Sequence, residues 1–283
     1  MKDSYFENQT AVVTGAGGTL CSVIALDLAK LGAKVALIGR TREKLETTAE
    51  RIKAIGGVCG IFPADVSDEA QVVQAAADIE KTLGPCRFLI NGAGGNNMKA
   101  MTDQVYFTPD ELKEDEDAPK GLFNLDMGMI EQVLKTNTIG SLIPIRVFGR
   151  QMLNHGGKGA IINFASMNSY RPLTKVPAYA MSKAAVTNMT QWLATYLGPT
   201  GIRVNAVAPG FFVNERSVKY LGSPESGLTE RGQKVIDHTP MQRFGQPEDL
   251  LGCVRWLLDD RAAGFVTGIT VAVDGGFLSH PGI

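Results

Sequence analysis

The stretch Ala11–Ala29 reads AVVTGAGGTLCSVIALDLA, and it decides the fold. A short apolar run, Ala11–Thr14, is followed by glycines at positions 15, 17 and 18 and then by apolar residues at helical spacing. This order predicts a buried strand, a tight turn and a helix. Glycines at such a junction let a phosphate approach the backbone N–H groups at the start of the helix. The turn is therefore a candidate nucleotide site.

The same alternation of strand and helix continues along most of the 283 residues. Short apolar runs predict further strands at Lys34–Ile38, Val58–Pro63, Phe88–Asn91, Ala160–Phe164, Arg203–Ala208 and Ile269–Val273. Helical patterns separate these runs; one of them is expected to be capped by Ser67. Right-handed crossovers then give an α/β, single-domain, doubly wound Rossmann fold, with a seven-stranded, mostly parallel sheet flanked by helices.

Composition excludes several classes of protein. The chain is 44% hydrophobic and has a net charge of −1, which gives no electrostatic reason to bind nucleic acid or an anionic membrane. No apolar stretch approaches the roughly 20 residues that span a bilayer, and the polar N-terminus is unlike a signal peptide. We expect a cytoplasmic protein. The four cysteines lie far apart and the three histidines are scattered, so no metal site is predicted.

A long insertion is expected at about residues 96–128 of the single domain spanning residues 1–283. This segment has no strand pattern, and its acidic run at 111–117 is typical of a solvated loop or helix end. It leaves from the carboxyl end of a predicted strand, where ligands bind in such folds. Long segments of this kind in a compact domain are usually functional. The insertion could therefore cover a substrate.

A Tyr-x-x-x-Lys pattern at Tyr179 and Lys183 carries the strongest chemical signal. Residues at i and i+4 share one face of a helix. A free tyrosine ionises near pH 10, and a neighbouring cation lowers the pKa of the phenol. The pair is a candidate general acid/base for a carbonyl/alcohol couple, although a surface helix pair has the same spacing. Ser166 and Asn137 lie at strand-end or adjoining helical positions, so we expect them to converge on one crevice with this pair.

Taken in order, these motifs resemble the short-chain dehydrogenases/reductases over nearly the whole chain. The matching segments are Thr14-Gly15, Asn91-Gly92-Ala93-Gly94, Asn137, Ser166, Tyr179 with Lys183, Pro209-Gly210, and the C-terminal RFGQPE at 243–248 and VDGG at 273–276. Thr19 and Cys21 stand where the family pattern has glycine. Gly17 and Gly18 are expected to supply the backbone freedom there, and Cys21 is small enough to pack against the strand.

The resemblance implies a role for each matched residue. Tyr179 would donate the proton in reduction, and Ser166 would polarise the carbonyl. Lys183 would hold the nicotinamide ribose and lower the pKa of the tyrosine, and Asn137 would support a water linked to the lysine. The implied cofactor-binding residues are Gly15, Gly17, Gly18, Thr19, Leu20, Arg40, Asp65, Val66, Asn91, Gly92, Ala93, Gly94, Tyr179, Lys183, Pro209 and Gly210.

The end of the second strand bears on the choice of cofactor. A carboxylate about 20 residues past the glycine loop is typical of NAD binding, but this chain has Gly39-Arg40 there. A guanidinium pairs with a 2′-phosphate, so NADP(H) is favoured. The alternative is that Arg40 stacks on the adenine and the cofactor is NAD(H).

The substrate is suggested by a narrower resemblance, to the short-chain-type fructuronate reductases (D-mannonate oxidoreductases). It rests on the first loop, Gly95-Asn96-Asn97, Ser166-Met167-Asn168 and the segment Pro209–Val213. The implied reaction interconverts D-fructuronate and D-mannonate. Candidate substrate-binding residues are Asn96, Asn97, Asn168, Arg171 and Arg216. A substrate carboxylate needs a cation as its partner. The candidates are Lys99, Arg171, Lys175 and Arg216, and the sequence does not choose among them.

Two other functions remain open. The enzyme could reduce another carbonyl, such as that of a polyol, a gluconate-type acid or a 3-ketoacyl thioester. From a different class, a cofactor-sensing binding protein could use the same fold without catalysis. Trp192, Leu193 and Leu197 form an apolar stripe on the helix that carries Tyr179, which the resemblance places between subunits of a homotetramer or dimer; an ordinary core helix is the alternative.

Overall fold

A computed structural model describes residues 3–115, 117–213, 215–223 and 227–280, without the side chains of Glu215 and Arg216. The strands are β1 Thr10–Thr14, β2 Lys34–Gly39, β3 Val58–Pro63, β4 Cys86–Asn91, β5 Gly159–Phe164, β6 Ile202–Pro209, β7 Gly222–Ser223, β8 Gly227–Leu228 and β9 Thr270–Val273. The helices are α1 Thr19–Lys30, α2 Arg42–Ala54, α3 Glu69–Leu83, α4 Met127–Leu134, α5 Gly140–Asn154, α6 Pro177–Leu197, α7 Glu215–Leu221, α8 Glu230–Asp237, α9 Leu251–Leu258 and α10 Asp260–Ala263.

Seven strands form one sheet in the order β3-β2-β1-β4-β5-β6-β9, and every pairing between neighbours is parallel. The seven strands predicted from apolar runs are confirmed, and the sheet is parallel throughout rather than mostly parallel. The short strands β7 and β8 pair separately as an antiparallel hairpin. The strand order reverses between β1 and β4, and ligands bind at the carboxyl ends of strands beside such a reversal.

Helices cover both faces of the sheet, as the doubly wound prediction requires. Neighbouring residues of β1 face opposite sides: Val13 packs in the cluster with Ile24 and Leu28 of α1, and Val12 packs in the cluster with Phe148 of α5. All of these side chains are fully buried. A strand that buries both faces has no polar alternation, which explains why the apolar runs were visible in the sequence.

The N-cap of α3 is Asp68, so the prediction that Ser67 caps this helix is wrong. The Asp68 side chain accepts from the backbone N–H of Gln71. Ser67 is held elsewhere: both its N–H and its hydroxyl donate to Asp65 Oδ1, at 2.9 and 2.8 Å. The Ser67 hydroxyl therefore donates to the Asp65 carboxylate and does not cap the helix.

The segment between β4 and α4 contains two short 3₁₀ turns, Met98–Ala100 and Pro109–Leu112, and no described strand. Its acidic run is not fully solvated, because Glu111 is only 5% exposed. The Glu111 carboxylate packs on Gly121, where an added Cβ would lie 1.7 Å from Oε2. Asn124 closes the segment by donating to the carbonyls of Glu111 and Pro119. The buried Glu111 and the hydrogen bonds of Asn124 thus hold the insertion together internally.

None of the described helices is long and apolar enough to cross a membrane. Over the same described ranges, no cluster of three or more histidine, cysteine or acidic side chains could hold a metal ion.

Candidate active site

The turn between β1 and α1 packs tightly against the loop that follows β4. Gly15 has φ 66°, and a Cβ there would lie 2.8 Å from the backbone nitrogen of Ala93. A Cβ on Gly17 would lie 2.6 Å from Cβ of Lys44. Side chains at either position would force these loops apart, so glycine is required at both.

The N-terminus of α1 is suited to a phosphate. Gly18 is its N-cap and supplies no side-chain cap. The N–H of Ser22 donates to the Gly18 carbonyl, but in the described part of the chain the N–H groups of Thr19, Leu20 and Cys21 have no acceptor. Unpaired N–H groups at the start of a helix bind anions such as a pyrophosphate. The geometry therefore fits a dinucleotide cofactor at the predicted loop.

Cys21 occupies the position of the third glycine of the family pattern, and Gly92 makes room for it. A Cβ on Gly92 would lie 2.0 Å from Cys21 Sγ. The helix and the sheet stay close because Gly92, which has no side chain, leaves space for the Cys21 thiol. Burial raises the pKa of the Cys21 thiol to about 12, so this side chain is a neutral packing group at ordinary pH.

Asn137 lies in a π turn, Lys135–Ile139, that interrupts the continuous helical stretch from α4 to α5. Its side chain is fully buried and bonds both backbone groups of Gly95, with Oδ1 accepting at 2.8 Å and Nδ2 donating at 2.9 Å. Nδ2 also donates to Ser182 Oγ at 2.8 Å, and Ser182 donates to the Tyr179 carbonyl. Asn137 therefore ties the loop after β4 to the helix of Tyr179.

The sequence pattern does not predict the role of Ser182. The one signal it offers is that Ser182 lies inside the Tyr-x-x-x-Lys pattern, one residue before Lys183. The partner that explains it, Asn137, is 45 residues away in the chain.

Tyr179, Ser166 and Lys183 lie close together beside the carboxyl end of β5. The Lys183 ammonium donates to the Phe164 carbonyl at 2.6 Å and lies 5.6 Å from the centroid of the Tyr179 ring. Lys183 is 5% exposed, whereas Tyr179 remains partly exposed. Burial lowers the pKa of Lys183 from 10.5 to about 8.

The pKa of Tyr179 departs from the sequence-based expectation. Burial raises it above the usual value for a phenol, and a hydrogen bond from Ser166 opposes that rise without cancelling it. The expectation that Lys183 lowers this pKa is therefore wrong for the chain by itself. The Lys183 ammonium donates to the Phe164 backbone carbonyl, and the contact that lowers the pKa of the Tyr179 phenol comes from Ser166.

Among the remaining predicted cofactor residues, some have buried side chains and others lie in loops at the strand ends. The Asn91 side chain is buried and donates to Asn163 Oδ1 at 3.0 Å, so it bridges β4 and β5 and does not face the crevice. The Val66 side chain is likewise buried, in the apolar core. Gly210 lies against the C-terminal motif, since a Cβ there would be 2.6 Å from the Cα of Asp274. A contact of Pro209 or Gly210 with the cofactor stays a prediction.

Arg40 and Asp65 face each other across the ends of β2 and β3. Arg40 Nη1 lies 3.9 Å from Asp65 Oδ2, and the Arg40 side chain is 69% exposed. Burial by itself would raise the pKa of Asp65, but the hydrogen bonds from Ser67 and the positive charges of Arg40 and Lys135 bring that pKa below its usual value. A charged pair thus marks the expected adenine end of the site.

Three predicted substrate residues are occupied by bonds within the chain. Asn97 Oδ1 accepts from the Lys99 N–H, and Asn97 Nδ2 contacts Met129 Sδ. Arg171 donates to the His280 carbonyl at 2.7 Å. Asn168 is 5% exposed and bonds Ser166 and Leu173. Each of these three side chains thus has partners within the chain, and a direct contact of any of them with a substrate stays a prediction.

For the two other predicted substrate residues, Asn96 and Arg216, no side-chain hydrogen bond within the chain is described. Asn96 is exposed on the loop after β4. The side chain of Arg216 lies outside the described part of the chain.

The insertion borders the crevice through two contacts. Lys175 Nζ donates to the Asp103 carbonyl at 2.6 Å, and the Thr102 N–H donates to the Lys175 carbonyl. On the other side, the Tyr220 hydroxyl contacts Met98 Sδ at 3.2 Å, which joins α7 to the insertion. These contacts join the insertion to the segment before α6 and to α7, and a cover over the crevice stays a prediction.

Comparison with known proteins agrees with this geometry. The family model described as enoyl-(acyl carrier protein) reductase matches residues 15–278. The uncharacterized oxidoreductase UxuB of Bacillus subtilis (strain 168) is 44% identical over 275 residues, 97% of this chain and 96% of the relative.

Two solved structures share the whole fold. A Haemophilus protein with bound NAD, provisionally assigned as a D-mannonate oxidoreductase, has a TM-score of 0.91 and 41% identity over 98% of this chain and 97% of its own. A gluconate 5-dehydrogenase from Burkholderia cenocepacia, in complex with NADP and tartrate, has a TM-score of 0.80 and 27% identity over 97% and 98%. The chain therefore belongs to the short-chain dehydrogenase/reductase family, and it is an NAD(P)-dependent oxidoreductase that acts on CH–OH groups.

Proposed function

We propose that the protein interconverts the ketone and the secondary alcohol of a sugar acid, with D-fructuronate and D-mannonate as the pair. The observation that carries the proposal is that Ser166 and Tyr179 lie together, next to a packed segment whose exposed Lys99 pairs with no described residue. The similarity to the Haemophilus protein supports the same substrate class.

A nicotinamide cofactor, when bound, would supply the hydride for reduction and accept it in oxidation. Tyr179 protonates the ketone oxygen, and its raised pKa keeps the phenol protonated for that step at neutral pH. The Ser166 hydroxyl donates a hydrogen bond to the same oxygen as negative charge develops there. Lys183 and Asn137 hold α6 and the loop after β4 in register around the reacting atoms.

Lys99 is the cation that best fits a substrate carboxylate. Lys175 and Arg171 donate to carbonyls of the chain itself, whereas no described residue pairs with the Lys99 ammonium. Lys99 lies in the turn Met98–Ala100, and Ala100 belongs to the same apolar cluster as Ala178, the residue before Tyr179. An ammonium placed here would fix the carboxylate end of a uronate by a charge-assisted hydrogen bond.

We also propose that the preferred cofactor is NADP(H). Arg40 stands exposed at the end of β2, and no carboxylate occurs in Gly39–Arg42 to repel a 2′-phosphate. The Haemophilus relative binds NAD and the Burkholderia relative binds NADP. The side chain at position 40 is therefore expected to decide the preference in this chain.

The proposed assembly is a homo-oligomer that uses the outer face of α6. Leu193 is buried, as in an ordinary core helix, but Trp192 and Tyr196 are 58% and 68% exposed and stack with ring centroids 5.0 Å apart. Two large stacked rings on an exposed helix face are typical of an interface. Replacing Trp192 with serine should lower the molar mass measured by light scattering.

A steady-state assay tests the proposed substrate. D-Fructuronate should be reduced with NADPH, and D-mannonate should be oxidised in the reverse assay. The panel includes gluconate-type acids, polyols and a 3-ketoacyl thioester. Reduction of the thioester without turnover of uronates would contradict the proposed substrate. Binding of the nucleotide with no turnover of any carbonyl would favour a sensing protein.

A further inference from the structure

The two acceptor positions of the Ser166 hydroxyl are both taken by one residue. Ser166 Oγ accepts from the backbone N–H of Asn168 at 3.2 Å and from the Asn168 side-chain Nδ2 at 3.4 Å. A serine hydroxyl has two acceptor lone pairs and one hydrogen to donate. With both lone pairs occupied, the hydrogen of Ser166 is the part of the group left for a partner in the crevice.

The orientation of the Asn168 amide is fixed by a third bond. Asn168 Oδ1 accepts from the Leu173 N–H at 2.9 Å. A backbone N–H can only donate, so the oxygen end of the amide must face Leu173 and the NH₂ end must face Ser166. Asn168 is 5% exposed, and burial excludes water as a competing partner.

The Ser166 hydroxyl lies next to the reacting phenol, because its side-chain hydrogen bond is one of the influences on the pKa of Tyr179. We expect the ketone oxygen of a substrate, which has to receive its proton from Tyr179, to take the Ser166 hydrogen at this place. A hydroxyl that donates stabilises a developing oxyanion, whereas one that turns its lone pairs to the same oxygen repels it. The direction of this one hydrogen therefore matters for reduction.

We propose that Asn168 is a positioning residue that holds the Ser166 hydroxyl as a hydrogen-bond donor to the substrate ketone. This inference rests on the proposed ketone reduction, and it replaces the direct substrate contact that the sequence suggested for Asn168. The amide acts through Ser166, and it sets the polarity of that hydroxyl before the substrate arrives.

The first test is Asn168→Asp. The carboxylate has the shape of the amide and can still accept from Leu173, but its second oxygen accepts the Ser166 hydrogen instead of donating to the hydroxyl. We expect kcat for ketone reduction to fall at least 30-fold, with the dissociation constant of the nucleotide within twofold of the wild type. Asn154→Asp, an exposed site at the end of α5, is the matched control and should leave kcat unchanged.

A second variant, Asn168→Ala, separates positioning of Ser166 from support of the loop. It removes the bond to Leu173 but leaves the Ser166 hydrogen free, so the loss of kcat should be smaller than in Asn168→Asp. A larger loss in the alanine variant would show that Asn168 only holds the loop, and would overturn the inference. This comparison stands even if one variant unfolds more easily, because the unfolding midpoint of each is measured alongside.

A double-mutant cycle with Ser166→Ala completes the test, with single-turnover rates so that slow variants remain measurable. Because Asn168 acts through Ser166, Asn168→Asp should change the rate less than threefold when the hydroxyl is absent. An equal loss in both backgrounds would mean that Asn168 acts on the substrate directly, and would overturn the inference. A wild-type chain that reduces none of the ketones would instead defeat the proposed function.

Discussion

Replacing Lys183 with methionine should make the protein inactive and also remove a pH dependence from its stability. Lys183 is buried, and its pKa falls from 10.5 to about 8 in the folded chain. At about 1.4 kcal/mol for each unit of pKa, holding this charge in the folded state costs about 3 kcal/mol. This value is an upper bound for the free-energy penalty of burying the Lys183 charge. Lys183→Met removes that penalty.

The sign of the effect follows from the two pKa values. Below pH 8 the lysine is charged in both the folded and the unfolded states, so the full penalty is present. Between pH 8 and 10.5 the unfolded chain binds more protons, so the free energy of unfolding of the wild type rises with pH. About 1 kcal/mol of that rise should be complete by pH 9.

Urea unfolding at pH 7, 8 and 9, followed by tryptophan fluorescence without added nucleotide, measures this difference. The wild type should gain about 1 kcal/mol relative to Lys183→Met between pH 7 and pH 9. Methionine also leaves the Phe164 carbonyl without its donor, which costs about 1–3 kcal/mol at every pH and does not alter the slope. The exposed Lys81 supplies the control, since Lys81→Met should follow the wild type across this range. Parallel curves for wild type and Lys183→Met would refute a buried, charged lysine.

Three further results are expected. Lys99→Gln should raise the KM for D-fructuronate at least tenfold, because a charge-assisted hydrogen bond contributes about 1.5–3 kcal/mol; the kcat/KM for a neutral ketose should be unaffected, and an unchanged KM for the uronate would exclude Lys99 as the carboxylate ligand. Arg40→Ala should raise the KM for NADPH at least tenfold and that for NADH less than threefold in steady-state assays; equal changes would contradict a 2′-phosphate contact. Gly92→Ala should lower the free energy of unfolding by about 1–3 kcal/mol through overpacking against Cys21, and Cys21→Gly in the same chain should restore it in urea titrations; an equally unstable double variant would show that Cys21 is not the obstacle.

The sheet could be predicted from the sequence because its signal is local. Strands such as β3, Val58–Pro63, are short runs bounded by glycine or proline, and their ends therefore needed no knowledge of distant residues. The positions of Ser166 and Tyr179 followed for the same reason, since each lies at a fixed distance from a strand or helix end. The family pattern then supplied their pairing.

Long-range partners could not be predicted in the same way. The sequence predicts substrate contacts for Asn97, Asn168 and Arg171 because polar side chains after strand ends often bind a ligand. The hydrogen bonds that these side chains make within the chain depend on how the loops fold, and spacing does not reveal them. Glu111 is buried against Gly121, ten residues on, within a segment that has no periodic pattern to reveal the contact.

The pKa of Tyr179 shows the limit of spacing arguments. Helical spacing correctly placed the Lys183 ammonium near the tyrosine ring. Burial, which the spacing does not report, then determined the direction of the shift.

The central claim, that the Tyr179 hydroxyl supplies the proton for ketone reduction, is tested most directly by the turnover of Tyr179→Phe on D-fructuronate, with a nucleotide titration of the same protein. The account predicts a loss of at least a thousandfold in kcat with the dissociation constant of the nucleotide within about twofold of the wild type. Turnover within tenfold of the wild type, at unchanged nucleotide affinity, would contradict it.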